Sequence, residues 1–278
     1  MGLIDKKHVY SYSQLTTFEE CPYAFYLQKL DKDIDKNDFV ENPFAQQGTL
    51  IHDLIDQWAK GKIKAEDLAK EYSRRYPKEV DSSRWPAFLA AKGYAEKTYN
   101  DGLKYFTSFN KFAGYTIAAT EQKFRIKLCD RPFVGVVDMI LTDNLTGEAI
   151  ILDHKRKSLS TFKREEKTIY RQQYLYANYF LQEYGCFPDI LQFNLFLENG
   201  TVMEKKFSEK EYEETMKWAE ETIKKMEEFD VFDWYETKMD KLRKKAVADG
   251  KDPNRLRLDN FCENICSCRE ICEERPAW

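Results

Sequence analysis

Asp138 interrupts one apolar run, Phe133-Val134-Gly135-Val136-Val137-Asp138-Met139-Ile140-Leu141, and Asp153 interrupts another, Ile150-Ile151-Leu152-Asp153-His154-Lys155. A carboxylate in a strand destined for burial is costly unless it is paired or ligates a metal. Side chains alternate faces along a strand, so Asp153 and Lys155 share one side while Leu152 and His154 take the other. With Asp138 on the side of Asp153, two carboxylates and an ammonium converge. Hard oxygen ligands select Mg²⁺ or Mn²⁺, and phosphodiester cleavage is a common use of such a site. In that chemistry Asp138 and Asp153, with the main-chain carbonyl of residue 154, hold the ion against a phosphate oxygen. Lys155 positions the attacking water or neutralises charge on the phosphate. The plain alternative is a salt-bridged or turn-facing Asp, because Asp-x-Lys also occurs by chance.

The elements that must position these residues are readable in outline. Thr142-Asp143-Asn144-Leu145-Thr146-Gly147-Glu148 has the composition of a hairpin loop, which predicts antiparallel neighbours for the two strands. A further strand is predicted at Glu121–Ile126, with Glu121 a weaker candidate for the same pocket. Strands return at Ile190–Leu197 and Thr201–Phe207, joined through Asn199-Gly200. From Glu165 to about Tyr184 the pattern is helical and closes at Gly185. Gln172 and Tyr176 share one face of that helix, and Arg164, Lys167 and Arg171 form a basic stripe. The alternatives are core packing for Tyr176 and a solvated face for the stripe. Upstream, Ile51, Leu54, Ile55 and Trp58 make an apolar stripe with His52 at its border. Ser208 is placed to cap a polar helix running to about Glu228.

Taken in order, Gly48-x-x-x-His52, Gly135-x-x-Asp138, Asp153-x-Lys155 and Gln172-x-x-x-Tyr176 resemble the RecB-type branch of the PD-(D/E)XK nucleases. Ser11-Tyr12-Ser13-Gln14-Leu15 leading to Cys21-Pro22 is similar to that family's opening, and the resemblance runs from about Ser11 to Cys272. It implies a restriction-endonuclease-like α/β core, a mixed sheet flanked by helices. It also implies His52, Asp138 and Asp153 as metal ligands and Lys155 as the catalytic lysine. Gln172 and Tyr176 would orient the site or the nucleic-acid backbone. Arg156-Lys157 stand where the family usually has a small or hydroxyl residue, a departure that bears on how the backbone is gripped.

Seven cysteines are present, four of them at Cys262, Cys266, Cys268 and Cys272. No signal peptide, myristoylation signal or membrane-length apolar stretch is evident, so a cytoplasmic setting is expected, where clustered thiols more often bind metal than form disulfides. Four local cysteines could wrap a zinc ion. Alternatively Cys21 joins three terminal cysteines around a [4Fe–4S] cluster. The second reading is similar to the iron–sulfur subgroup of these nucleases, CRISPR-associated exonucleases and helicase–nuclease domains among them. That resemblance implies Cys21, Cys262, Cys266 and Cys272 as ligands, with Cys268 as a substitute. Such a cluster acts as a clasp between the chain ends. Cys129 and Cys186 are expected to be buried core thiols.

The 278 residues suffice for a full core, so 1–278 is expected to be a single nuclease domain. Residues 61–112 read as a helical insertion or arm, with breaks at Pro77 and Ser82-Ser83. Residues 229–278 read as a basic segment ending in the cluster cysteines. A net charge of −4 argues against indiscriminate coating of nucleic acid. Basic residues are nonetheless concentrated at Arg156, Lys157, Arg164, Lys167 and Arg171, and again at Lys238, Lys241, Arg243, Lys244, Lys245, Lys251, Arg255 and Arg257. Local basic density of this kind suits a phosphate-backbone groove. The expected function is a metal-dependent DNA exonuclease in recombination, repair or CRISPR adaptation, with single-stranded DNA favoured as partner. Glycine-rich ATP loops are absent, so a helicase or integrase would be a separate partner. The competing expectation is a zinc-stabilised, non-cleaving nucleic-acid-binding or adaptor module on the same fold.

Overall fold

Five strands form one mixed sheet in the order β1-β2-β3-β4-β5. They are β1 (Tyr115–Leu128), β2 (Arg131–Asp143), β3 (Ala149–Lys155), β4 (Ile190–Leu195) and β5 (Thr201–Lys206). β1–β2, β2–β3 and β4–β5 pair antiparallel, whereas β3 and β4 are parallel. This computed structural model describes residues 4, 7–35, 39, 41–110, 112–250, 266–268 and 271–272. Two compact units are present, residues 43–218 and the chain ends 1–42 with 219–278.

In the first unit, α3 (Pro43–Ala59), α4 (Leu68–Glu79), the short α5 (Ala87–Ala90) and α6 (Tyr94–Thr107) precede the sheet, and α7 (Leu159–Tyr184) connects β3 to β4. The chain's first two helices belong to the other unit: α1 (Tyr12–Glu20) and α2 (Pro22–Lys29). The stripe Leu50, Ile51, Leu54 and Ile55 of α3 packs with Leu68 and Tyr72 of α4, Tyr105 and Phe106 of α6, and Met139, Leu141, Ile150 and Leu152 of the sheet. On the sheet's other face, Phe162 and Tyr170 of α7 meet Phe193 of β4 edge-on at 5.2 and 5.0 Å. α3, α4 and α6 thus cover one side of the sheet.

Several boundaries differ from expectation, each for a local reason. α7 begins at Leu159 rather than Glu165, because Ser158 Oγ accepts from Thr161 N and caps it there. Pro77 does not end α4 but sits in its last turn, where the helix gives up only the one bond a residue-77 N–H would make to the carbonyl of Ser73. β4 stops at Leu195, and residues 196–198 form a 3₁₀ turn leading to Asn199 and Gly200, both at positive φ. β1 reaches far beyond Glu121–Ile126 and turns into β2 through Cys129 and Asp130, both left-handed, as a two-residue hairpin requires. Cys129 is thus a half-buried turn residue and Cys186 is exposed, so neither is the buried core thiol expected of them.

In the second unit, α8 (Glu209–Glu228), whose last ten residues fall here, is followed by α9 (Val231–Ala248). Tyr23, Ala24, Leu27, Val231, Cys268 and Ile271 form its buried cluster, with Cys21, Cys266 and Cys272 packed against it. Cys262, Lys251, Arg255 and Arg257 lie outside the described residues. No helix among the described residues is long and apolar enough to cross a membrane.

Candidate metal centre

β2 and β3 pair from Thr142↔Ala149 to Met139↔Leu152 and no further, while β3 continues beside β4 to Lys155. Continuing the same register sets Asp138 across from Asp153. There Asp138 Oδ2 accepts from the main-chain N–H of His154 at 2.7 Å, so a side chain replaces the next ladder bond. β1 adds a third acid. Its pairing slips by one residue between Ile117 and Ala119, and afterwards Thr120 faces Met139 and Gln122 faces Val137. Glu121 consequently falls opposite Asp138. Without the bulge Thr120 would occupy that place and Glu121 would face the other way. Glu121 also holds φ at 47°, a left-handed conformation inside a strand.

Asp153 and Lys155 point toward α7, and His154 points away, as alternation requires. Gln172 Nε2 donates to Asp153 Oδ1 at 2.7 Å and lies 3.0 Å from the Tyr176 hydroxyl. Lys155 Nζ donates to Gln172 Oε1 at 2.7 Å and stands 2.8 Å from Asp153 Oδ2. Buried Asp153 Oδ2 thus has the Lys155 ammonium as its partner. On the opposite side, Asn194 Nδ2 lies 2.9 Å from His154 Nδ1 and donates to the Tyr105 hydroxyl at 2.8 Å. Burial drives the His154 pKa far down, so this ring is neutral.

His52 enters from α3. Its Nε2 is 3.1 Å from the main-chain oxygen of His154, the carbonyl expected from sequence at the metal. Its Nδ1 is 3.5 Å from Asp138 Oδ2 and 3.8 Å from Glu121 Oε1. Burial alone would lower the His52 pKa, but Asp138, Glu121 and Asp153 outweigh it and push the imidazole up to about 9. Burial first, and then the Asp153 charge, pushes Asp138 up to about 7. Crowded, buried acids thus raise the Asp138 pKa and that of the imidazole beside them.

An open pocket of about 500 Å³ lies over this group, lined by Gly48, Thr49, His52, Asp53, Asp56, Glu121, His154 and Lys155. Asp53 is committed to Arg75 at 2.6 Å and Asp56 to Lys60 at 2.8 Å. Glu121 has only the His52 contact at 3.8 Å among the described ion pairs. Ligand atoms of His52, Glu121 and Asp138 all lie within 4.8 Å of one another. This donor set, carboxylates and one imidazole, fits a hard divalent cation.

Structure and sequence part company most clearly at the basic residues. Arg156 is turned into the helical layer, over the Phe44 ring at 4.2 Å. Lys157 and Arg164 pair with Glu165 at 2.7 and 2.9 Å, and Lys167 lies 3.3 Å from Glu214. Arg171 lies over Trp218 at 4.3 Å. Arg164 and Lys167 remain largely exposed, with 71% and 81% of their side chains open to solvent. Glu121 reaches this group through the bulge in β1, which local spacing does not encode. Cys21, Cys266, Cys268 and Cys272 share one apolar cluster, and no disulfide links them. A hydrogen bond with Cys266 draws the Cys268 thiol pKa down despite burial.

The family model described as the PD-(D/E)XK nuclease superfamily matches residues 9–273, and its match includes every strand and the whole acidic row. Comparison with the curated proteins finds no matching relative. With nearly the entire length matched and the expected mixed α/β sheet in place, the chain belongs to the PD-(D/E)XK nuclease superfamily.

Proposed function

We propose that this chain is a metal-dependent DNA exonuclease of the RecB-type branch. The observation that carries the reading is the meeting of Glu121, Asp138 and His52, whose ligand atoms lie within 4.8 Å of one another, beside the strand that carries Asp153 and Lys155. His52, Glu121, Asp138 and Asp153 would hold Mg²⁺ or Mn²⁺. Such an ion, when bound, polarises the scissile phosphate and makes a water nucleophilic near neutral pH. Lys155, restrained by Asp153 and Gln172, keeps its ammonium at the pocket, where it neutralises phosphate charge or orients that water. Gln172 fixes both partners at once, and Tyr176, kept neutral by burial, braces Gln172. The exonuclease assignment and the branch rest on the order of the four motifs.

The terminal cysteines serve as a structural clasp around a [4Fe–4S] cluster. The clustering of Cys21 with Cys266, Cys268 and Cys272 supports this, with Cys21, Cys262, Cys266 and Cys272 as the ligands and Cys268 as a substitute. Single-stranded DNA is the favoured substrate, in recombination, repair or CRISPR adaptation, with any helicase or integrase supplied separately. A cytoplasmic setting fits the free thiols.

The test is incubation of anaerobically purified protein with end-labelled single- and double-stranded DNA, in Mn²⁺ or EDTA. Asp138→Ala and Lys155→Ala should each slow cleavage by at least ~10³-fold, about 4 kcal/mol of barrier. Mn²⁺-dependent digestion by folded variants at the wild-type rate removes those residues from the mechanism. A brown sample with a broad visible band supports the cluster. Colourless protein holding chelatable zinc favours the adaptor alternative for the clasp.

A further inference from the structure

Arg156 follows the Asp-x-Lys strand, yet its side chain leaves the pocket. Its Nε donates to Gln47 Oε1 at 2.7 Å and its Nη2 to Thr98 Oγ1 at 3.2 Å. Both partners are completely buried. Gln47 is itself held, because its Nε2 donates to the Tyr72 hydroxyl at 3.1 Å and to the Thr98 main-chain oxygen at 2.5 Å. Phe44, stacked against the guanidinium, lies one turn before Gln47. One planar fork thus joins the end of β3 to α3 and α6 directly, and to α4 through Gln47. No carboxylate among the described residues forms a close ion pair with it, although the Asp101 charge favours it, so these contacts stand in for its hydration.

Gln47 and His52 lie on the same helix, about 7.5 Å apart along its axis. Whatever fixes the axial position of α3 against β3 therefore fixes where His52 meets Asp138. We infer that Arg156 is a positioning residue, a tie that sets α3 and hence His52 against the strand bearing Asp153 and Lys155. This inference rests on the metal-dependent reading above. It removes Arg156 from the phosphate contacts expected from sequence.

Methionine at this position keeps the stem over Phe44 and removes every donor, whereas lysine can serve one acceptor but not both. Mn²⁺ affinity is followed by the EPR signal of free ion, alongside kcat, KM and salt dependence on single-stranded DNA. Arg156→Met should weaken Mn²⁺ binding by about 10-fold and lower kcat about 10- to 100-fold, as misaligned supporting groups do. KM and the salt slope should stay at wild-type values. Arg156→Lys should recover part of the loss. Leu128→Ala, a buried change at the far end of β1, should lower the urea midpoint and leave Mn²⁺ affinity intact.

Wild-type protein that binds no Mn²⁺ overturns the metal reading and this inference with it. Wild-type protein that binds, beside Arg156→Met and Arg156→Lys variants that bind equally well, overturns the positioning role alone. A raised KM with a flattened salt slope in Arg156→Met does the same, by making Arg156 a phosphate ligand. Equal loss of Mn²⁺ affinity in Leu128→Ala also refutes it, since general destabilisation then explains the effect.

Discussion

Gly135→Ala is a sharp test of how the sheet supports the site. A Cβ on Gly135 would stand 2.4 Å from Phe124 Cζ, 2.7 Å from Phe124 Cε1 and 2.9 Å from Tyr176 Cε1. Carbon atoms settle at roughly 3.5–4.0 Å, so the Phe124 ring must retreat by about an ångström or more. It has little room. Phe124 pairs across the strands with Gly135, stacks on Tyr179 at 4.5 Å and meets Tyr176 edge-on at 5.2 Å. Overpacking of this kind costs about 1–3 kcal/mol, and the tight stacking argues for the upper half of that range. Tyr176 is pushed as well, and its hydroxyl lies 3.0 Å from the Gln172 amide that fixes Asp153 and Lys155. A misplacement of about 1 Å can cost ~10²-fold in rate. Urea denaturation followed by tryptophan fluorescence gives the first number, and Mn²⁺-dependent cleavage the second. Phe124→Leu should relieve part of the strain, giving about 1 kcal/mol or more of favourable coupling in a double-mutant cycle. A Gly135→Ala protein with wild-type urea midpoint and cleavage rate, or zero coupling, refutes the account.

Other perturbations separate the remaining roles. Gly48 is helical and lines the pocket, and its added Cβ would meet nothing within 4 Å. Gly48→Ala should therefore stabilise the protein by about 0.5–1 kcal/mol in urea while raising KM for DNA, because a methyl group obstructs a backbone that phosphates can approach. An unaltered KM removes Gly48 from the binding surface. Gln172→Leu should weaken Mn²⁺ binding or cleavage about 10- to 100-fold, since Lys155 Nζ and Asp153 Oδ1 are both deprived of a partner. Wild-type Mn²⁺ affinity and rate would show that Gln172 orients neither. Arg164→Ala with Lys167→Ala should flatten the log–log salt dependence of single-strand binding by about 1.4, or about 0.7 for each phosphate no longer neutralised. An unchanged slope makes both residues part of a solvated face.

Part of the site is written in local pattern. Asp153 and Lys155 share a face because strand side chains alternate, and the polar loop between the two apolar runs requires a return. Gln172 and Tyr176 share a helix face for the equally local reason that they lie four residues apart. The limits of α7 were less legible, because Ser158 competes as a cap only once the chain around it has turned away from β3. The Cys129-Asp130 turn is equally hard to read from local pattern. Neither residue is the usual Asn-Gly, yet the pairing of Leu128 with Arg131 forces both to positive φ.

What sequence alone determined is which side chains travel together: two acids in strands, a lysine two residues on, a glutamine and tyrosine on one helix turn, and a family order for all of them. Periodicity within an element settles such matters, whatever the rest of the chain does. Tertiary structure decided which of them meet. The one-residue slip in β1 turns Glu121 toward Asp138, the docking of α3 delivers His52, and Arg156 is drawn inward by buried acceptors on two other helices. Those outcomes depend on register and on packing between distant segments, and no local spacing encodes either.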